Sequence, residues 1–160
     1  MINKNNEINI EEAVEGLEIV TTKATELDKK DFFKMLMKSE EGLVLTVERV
    51  GKVFKSKFTN DNGVKPCGIF LDYAFYTNST DYIVGIYYNL GVPISEQYFK
   101  LTSNMNIFKI LAVANPDLDS AEEIKVTVEY IQKLLTGITF KAEVGTSYNG
   151  GFLIEPIEKL

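Results

Sequence analysis

The chain of 160 residues contains no histidine, one cysteine (Cys67) and one arginine (Arg49). Without histidine and with a single thiol there is no intrachain disulfide, no Cys/His zinc site, no imidazole acid or base and no histidine-based nucleophilic triad. Any catalysis would fall to carboxylates, lysines or tyrosines. Clustered acids are also lacking: Asp72 and Asp81 fall on neighbouring predicted strands without a third ligand, a poor divalent-ion site. The sequence therefore predicts a protein that is not an enzyme and that needs no cofactor or metal; an enzyme working through a metal at Asp72 is the weakest alternative. No apolar run approaches the ~20 residues of a membrane span. The stretch from Met1 to Asn9 is polar and lacks the apolar core of a signal peptide, so a cytoplasmic location is expected, in the host cytoplasm if the chain is phage-encoded.

What is present is the composition of one soluble domain, 45% hydrophobic and 25% charged with a net charge of -6. The charge is uneven. Residues 1–41 hold ten acids against six lysines, whereas residues 43–65 hold two acids, Glu48 and Asp61, against Arg49, Lys52, Lys55, Lys57 and Lys65. A net negative charge argues against a uniformly basic coat but says little about one face.

Along the chain, residues 1–12 are Asn- and Glu-rich and expected to fray, Glu15–Thr22 reads as a short strand, and Asp28–Lys38 as a helix with Phe32, Phe33, Leu36 and Met37 inward. Residues 43–58 form a long strand with Leu43, Leu45 and Val47 on one face. Gly51 marks a bulge, after which Phe54 and Phe58 turn inward and Val53, Lys55 and Lys57 outward. Asn60–Gly63 is a turn, and strands at 67–76 and 81–90 supply the aromatic centre. Alternation there places Ile69, Leu71, Tyr73 and Phe75 inward with Tyr82, Val84, Ile86, Tyr88 and Leu90, leaving Phe70, Tyr76 and Tyr87 outward. A short helix over 104–114, capped by Thr102 and Ser103, stops at Asn115-Pro116.

From Asp119, apolar residues at Ala121, Ile124, Val128, Ile131 and Leu135 follow helical spacing. Asp119 and Ser120 are N-cap types, Glu122 and Glu123 complete a capping box, and Gly137 ends the run. Strands at 138–144 and 152–157 close the chain as a hairpin. Three strands, a helical connection and a hairpin is the order of an OB-fold. The expected class is thus mainly β with helices: a five-stranded OB barrel (β-β-β-α-β-β) over 42–160, preceded by an α/β extension over 1–41. A generic α+β sheet fits the same order less closely.

The run Asn106–Pro116 (NIFKILAVANP), followed by Leu134–Val144 (LLTGITFKAEV), resembles the last half of phage-type single-stranded DNA-binding proteins, in which a helix leads into a Leu-x-Gly-Lys-x-Phe-x-Ala-x-Val strand. Leu135, Gly137, Phe140, Ala142 and Val144 match, and Ile138 stands where the family usually has lysine. The resemblance covers about residues 43–157. It implies an OB barrel that binds single-stranded DNA with little sequence preference in phage or prophage replication or recombination, as a homo-oligomer with possible replication or recombination partners. The acidic, phenylalanine-ended tail by which many bacterial members recruit partners is not matched by Glu155–Leu160, so recruitment by that route is not expected.

Such binding requires a basic groove and aromatic faces for bases. The candidates are Arg49, Lys52, Lys55, Lys57 and Lys65 for phosphates, with Phe70, Tyr76, Tyr87 and Tyr148 for bases. Each has a plainer reading: strand aromatics are mostly core, edge lysines block strand pairing, Arg49 lies on the inward parity and suits an ion pair, and Tyr148 suits a hairpin tip. Cys67 reads as a small buried apolar residue. The alternative function is a protein-interaction or virion-assembly module without nucleic-acid binding.

Overall fold

The architecture is taken from a computed structural model in which residues 24–57, 59–147 and 150–160 are described. In chain order they form β1 (Thr25–Glu26), α1 (Lys29–Lys38), β2 (Leu43–Val50), β3 (Phe54–Lys55), β4 (Cys67–Thr77) and β5 (Thr80–Gly91). There follow β6 (Phe99–Thr102), α2 (Asn106–Ala114), a 3-10 turn (Pro116–Ser120), β7 (Glu123–Val126), α3 (Val128–Leu135), β8 (Thr139–Thr146) and β9 (Phe152–Lys159). The strand expected at Glu15–Thr22 and the side chains of Phe58 and Tyr148 lie outside the described residues.

The chain is mainly β with helices, built on an open mixed sheet in the order β1-β5-β4-β2-β8-β9, with β3 paired to the end of β4. All its pairings are antiparallel except β1 with β5. A separate ribbon joins β6 to β7. Strand β2 serves both halves, since Leu43–Thr46 pair with β8 and Thr46–Val50 with β4.

Period-two alternation accounts for the sheet's buried face. Leu45, Val47, Ile69, Leu71, Tyr73, Val84, Leu90, Phe140 and Ala142 are all but fully buried, each large apolar side chain contributing roughly 1.5–3 kcal/mol over an exposed one. Cys67 is buried and free. Within that core the Tyr73 and Tyr88 hydroxyls meet at 2.7 Å. Their rings converge from ladder rungs on either side of the Leu71–Ile86 pair. Removal from water pushes both phenols above their ordinary range; Coulombic and hydrogen-bond coupling raises Tyr73 further, while its hydrogen bond pulls Tyr88 partly back.

Helix α1 begins where the Asp28 carboxylate accepts the Asp31 N–H at 2.8 Å. It sends Phe32, Phe33 and Leu36 into the same core, Phe32 meeting Phe75 edge-on at 5.5 Å. The part of the expected extension that is described is therefore packed into the sheet. Met37, expected inward, is exposed, because it lies one turn beyond Phe33 on the flank where the core ends.

The long helix expected from Asp119 divides in two. Pro116–Ser120 is a 3-10 turn initiated by Asn115, whose side chain accepts the Asp117 N–H at 3.2 Å, and the helix proper begins only at Val128, capped by the Thr127 hydroxyl accepting the Tyr130 N–H at 3.1 Å. Between them Ile124 and Val126 lie on β7, paired with Leu101 and Phe99. Ile124 and Val126 fit an alternating pattern as well as Ile124 and Val128 fit a helical one, and the waiting edge of β6 selects the strand. The expected glycine stop does occur: Gly137 has φ +90° and donates its N–H to the Val47 carbonyl at 2.8 Å. The helix that packs against both β5 and β9 is α2, through Ile107, Phe108, Ile110 and Leu111, and its N-cap, Met105, makes no side-chain capping bond. No helix among the described residues is long and apolar enough to cross a membrane.

Candidate nucleic-acid interface

The outer face of β3, β4 and β5 carries what the inner face cannot hold. On β4 the outward series is Gly68, Phe70, Asp72, Ala74 and Tyr76, and opposite it on β5 stand Asn89, Tyr87, Gly85, Ile83 and Asp81. Phe70 and Tyr87 are direct cross-strand partners with ring centroids 5.8 Å apart in an edge-to-face arrangement.

A third ring joins them. Phe54 on β3 stacks on Phe70 at 5.6 Å with 16° between the planes, and lies 5.9 Å from Tyr87. The three rings remain 38% (Phe54), 45% (Phe70) and 39% (Tyr87) exposed. Phe54 was expected inward. The register shift falls between Val47 and Arg49 instead of at Gly51, and β2 ends at Val50. Gly51 instead brings two backbones close: its N–H donates to the Phe70 carbonyl at 2.8 Å, and a Cβ there would lie 3.1 Å from that oxygen. When the chain resumes pairing, Phe54 faces Gly68 on the outer side and Val53 is the residue packed against the core.

Glycine shapes this cluster. A Cβ at residue 68 would stand 2.2 Å from Cε1 of Tyr87, so the tyrosine ring lies over a bare backbone and is held beside Phe70. At Gly85 a Cβ would meet the Asp72 Oδ1 at 3.1 Å and the Phe70 ring at 3.8 Å, which places that carboxylate at the edge of the cluster.

The same register shift decides Arg49. It moves the residue from the inward parity to the outer face, opposite Asp72, where Nε and Oδ2 form an ion pair at 2.9 Å. Asp72 is mostly covered while Arg49 is mostly exposed, so the pair neutralises an acid next to Phe70 and leaves part of the guanidinium facing water. Lys52 and Lys55 flank Phe54 in the chain and both are exposed. Beyond them the Ser56 N–H donates to the Pro66 carbonyl at 2.8 Å, and Asn60 Oδ1 accepts the N–H groups of Asn62 and Val64 at 2.9 Å each. This hairpin-like connection carries Lys57 and Lys65, also exposed, on its two arms. Among the described residues the ion pairs are Arg49–Asp72 and Lys100–Glu123, so none of these four lysines is paired with a described carboxylate.

Tyr76 does not join the cluster. It lies six residues along β4 from Phe70, about 20 Å at strand rise, opposite Asp81 and in a hollow also lined by Glu48. Tyr148 lies outside the described residues. On the other side of Tyr87 a groove of about 570 Å³ opens between β5, the start of α2 and the β8–β9 connection. Asn89, Asn104, Asn106 and Lys109 line it, offering side-chain amides and a further cation that the sequence reading did not single out. The amides have a sequence signal in two parts, the alternation of β5 continued to Asn89 and the Asn-rich start of α2, whereas Phe54 has none in its own neighbourhood. No local pattern announces that the two meet.

Of the residues that carry the family resemblance, the apolar ones pack inside or against the core, and Gly137 is exposed at its turn. Leu135, Phe140 and Ala142 are fully buried, and Ile138, in the place of the family's lysine, lies against the core. Comparison of the chain with family models, with curated protein sequences and with solved structures finds no match.

Proposed function

We propose that this protein binds single-stranded DNA with little sequence preference, through the outer face of β3, β4 and β5, in support of phage or prophage replication or recombination. The observation that carries the reading is the Phe54–Phe70–Tyr87 cluster, three part-exposed rings on one sheet face, with exposed Lys52 and Lys55 beside Phe54 in the chain and exposed Lys57 and Lys65 on the connection that follows. Every base has a π-face, so such rings accept any sequence, at about 1–3 kcal/mol per stacked base. Lysines without carboxylate partners can displace counterions from phosphates.

An OB-type barrel is the finer reading of the fold that accords with this site. It is supported by β2 bridging both halves of the sheet and by α2 covering the gap between β5 and β9, where a partly open barrel would leave its mouth. Oligomerisation and a cytoplasmic site of action belong to the same proposal.

Fluorescence anisotropy with labelled oligo-dT tests it. Binding is expected at micromolar protein, with log K falling against log salt at a slope of roughly -0.7 for each phosphate neutralised, so about -3 for four lysines. No binding at about 10 μM protein in about 50 mM salt, or binding indifferent to salt, overturns it. The net charge of -6 and the acidic hollow around Tyr76 favour the second reading, a protein-interaction or virion-assembly module, and a null result with oligo-dT would move the case to that reading.

A further inference from the structure

Away from the aromatic cluster, helix α1 and the start of β9 enclose a groove of about 470 Å³ with almost wholly apolar walls. Phe33, Met37 and Phe152 form the walls, the two phenylalanine rings 6.0 Å apart, and Lys29, Lys30 and Lys34 form the rim. Met37 is 46% and Phe152 50% exposed, which is unusual for large apolar side chains facing one another. None of the three lysines is ion-paired with a carboxylate among the described residues. A smaller cavity of about 150 Å³ shares Lys29, Phe33 and Phe152 with the groove and extends it to Tyr87.

An apolar trough with a cationic rim fits an acidic segment with apolar anchors. It suits a nucleic acid less well, because the hydrogen-bonding edges of bases would find no partner in walls of Phe and Met. The chain itself contains a segment of that chemistry. Glu7–Val20 holds five glutamates and no base, interleaved with Ile8, Ile10, Val14, Leu17, Ile19 and Val20. It lies outside the described residues and precedes the groove directly: Val20 is nine residues before Lys29. Because β1 fixes the chain from Thr25, the free link is residues 21–23, about 10 Å when extended, and the fourteen residues of Glu7–Val20 themselves reach about 46 Å, three times the ~15 Å length of the ten-residue helix α1.

We propose that Glu7–Val20 docks in this groove of its own chain, its apolar side chains against Phe33, Met37 and Phe152 and its glutamates over Lys29, Lys30 and Lys34. The tether makes the docking intramolecular, at an effective concentration of the order of millimolar for a short linker, so modest contacts suffice to hold it. Docked there, five carboxylates sit beside the extension of the groove that ends at Tyr87. The docking itself does not depend on DNA binding and is tested without DNA.

The experiment is backbone hydrogen exchange of the full chain, read by mass spectrometry at low salt. Amides of residues 7–20 are expected to exchange about tenfold or more slowly than an unstructured peptide, equally at low and high protein concentration. Met37→Asp, which places an acid in the trough, and the double variant Lys30→Glu/Lys34→Glu should each abolish that protection, while α1 and the sheet keep theirs. All three altered residues are exposed, so the fold should survive; retained protection of β4 and β5 verifies it. Exchange of residues 7–20 at the unstructured rate in the unaltered protein overturns the proposal, as does protection that both variants leave unchanged. Protection that grows with protein concentration assigns the groove to a second copy and also overturns it. Unprotected residues 7–20 together with a groove protected only on adding oligo-dT would assign it to nucleic acid instead.

Discussion

Strands β4 and β5 carry an aromatic group on each face, and the two groups differ in what their atoms can reach. Inside, Tyr73 and Tyr88 are buried, and each hydroxyl has the other as its partner at 2.7 Å. Outside, three residues from Tyr73 along β4 and one from Tyr88 along β5, Phe70 and Tyr87 join Phe54 with much of their ring surface still in water. The inner pair is covered by the fold and shares a hydrogen bond. The outer cluster has ring faces in excess of what the fold uses, and rings left uncovered on a sheet face are available to a ligand. Strand aromatics are thus not alike in meaning: parity and the completeness of their contacts separate packing from binding.

The comparison breaks first if the outer rings prove dispensable. Replacing Phe70 and Tyr87 together by alanine is expected to weaken oligo-dT binding by about 30-fold or more, from roughly 1–3 kcal/mol per stacked base, with the urea midpoint little changed. Equal loss of stability and affinity would make the outer cluster structural.

The inner pair should behave in the opposite way. Tyr73→Phe leaves the Tyr88 hydroxyl buried without its partner and is expected to lower stability by about 1–3 kcal/mol, whereas Tyr73→Phe/Tyr88→Phe should recover most of that loss. Both phenols titrate above their ordinary range when folded. Above about pH 10 the unfolded chain therefore loses protons that the native state retains. The stability they contribute is complete below that pH and is lost as pH rises through the raised folded values. Urea midpoints measured from pH 8 upward should fall on the alkaline side, and the double phenylalanine variant should fall less; an identical decline in both would detach the pair from the effect.

Smaller changes sharpen the contrast. Gly68→Ala forces the Tyr87 ring off its resting place, but a ring end can move. Affinity should drop several-fold, about 1 kcal/mol, less than on removing Tyr87, and nuclear magnetic resonance should show Tyr87 ring shifts. Tyr76→Ala at the acidic end of the same outer face is expected to change affinity and stability by less than about 0.5 kcal/mol. A large effect on binding there would extend the interface past Asp72 and end the distinction between the two halves of that face.

Much of this was legible in the chain. The inward sets of β4 and β5 follow from alternation alone, as do the exposed Phe70, Tyr76 and Tyr87; the turn at Asn60–Gly63 follows from its Asn-Gly chemistry and the stop after α3 from Gly137. Three features were not. The helix read from Asp119 splits, because Ile124 and Val126 serve two periodicities and only the edge of β6 chooses between them. Alternation with a bulge at Gly51 puts Arg49 and Phe54 inward, whereas the register shift falls after Val47.

The sequence by itself determined which residues could be core and where strands alternate, since a period-two pattern is a property of neighbours along one chain. The tertiary structure decided which residues form the candidate site. A register shift after Val47 turns Arg49 outward to pair with Asp72, and the chain's passage over Phe70 at Gly51 turns Phe54 outward as well. The bare backbone of Gly68 then lets Tyr87 settle beside Phe70. Each depends on a residue far away in sequence. One residue of register changes the face to which a side chain belongs.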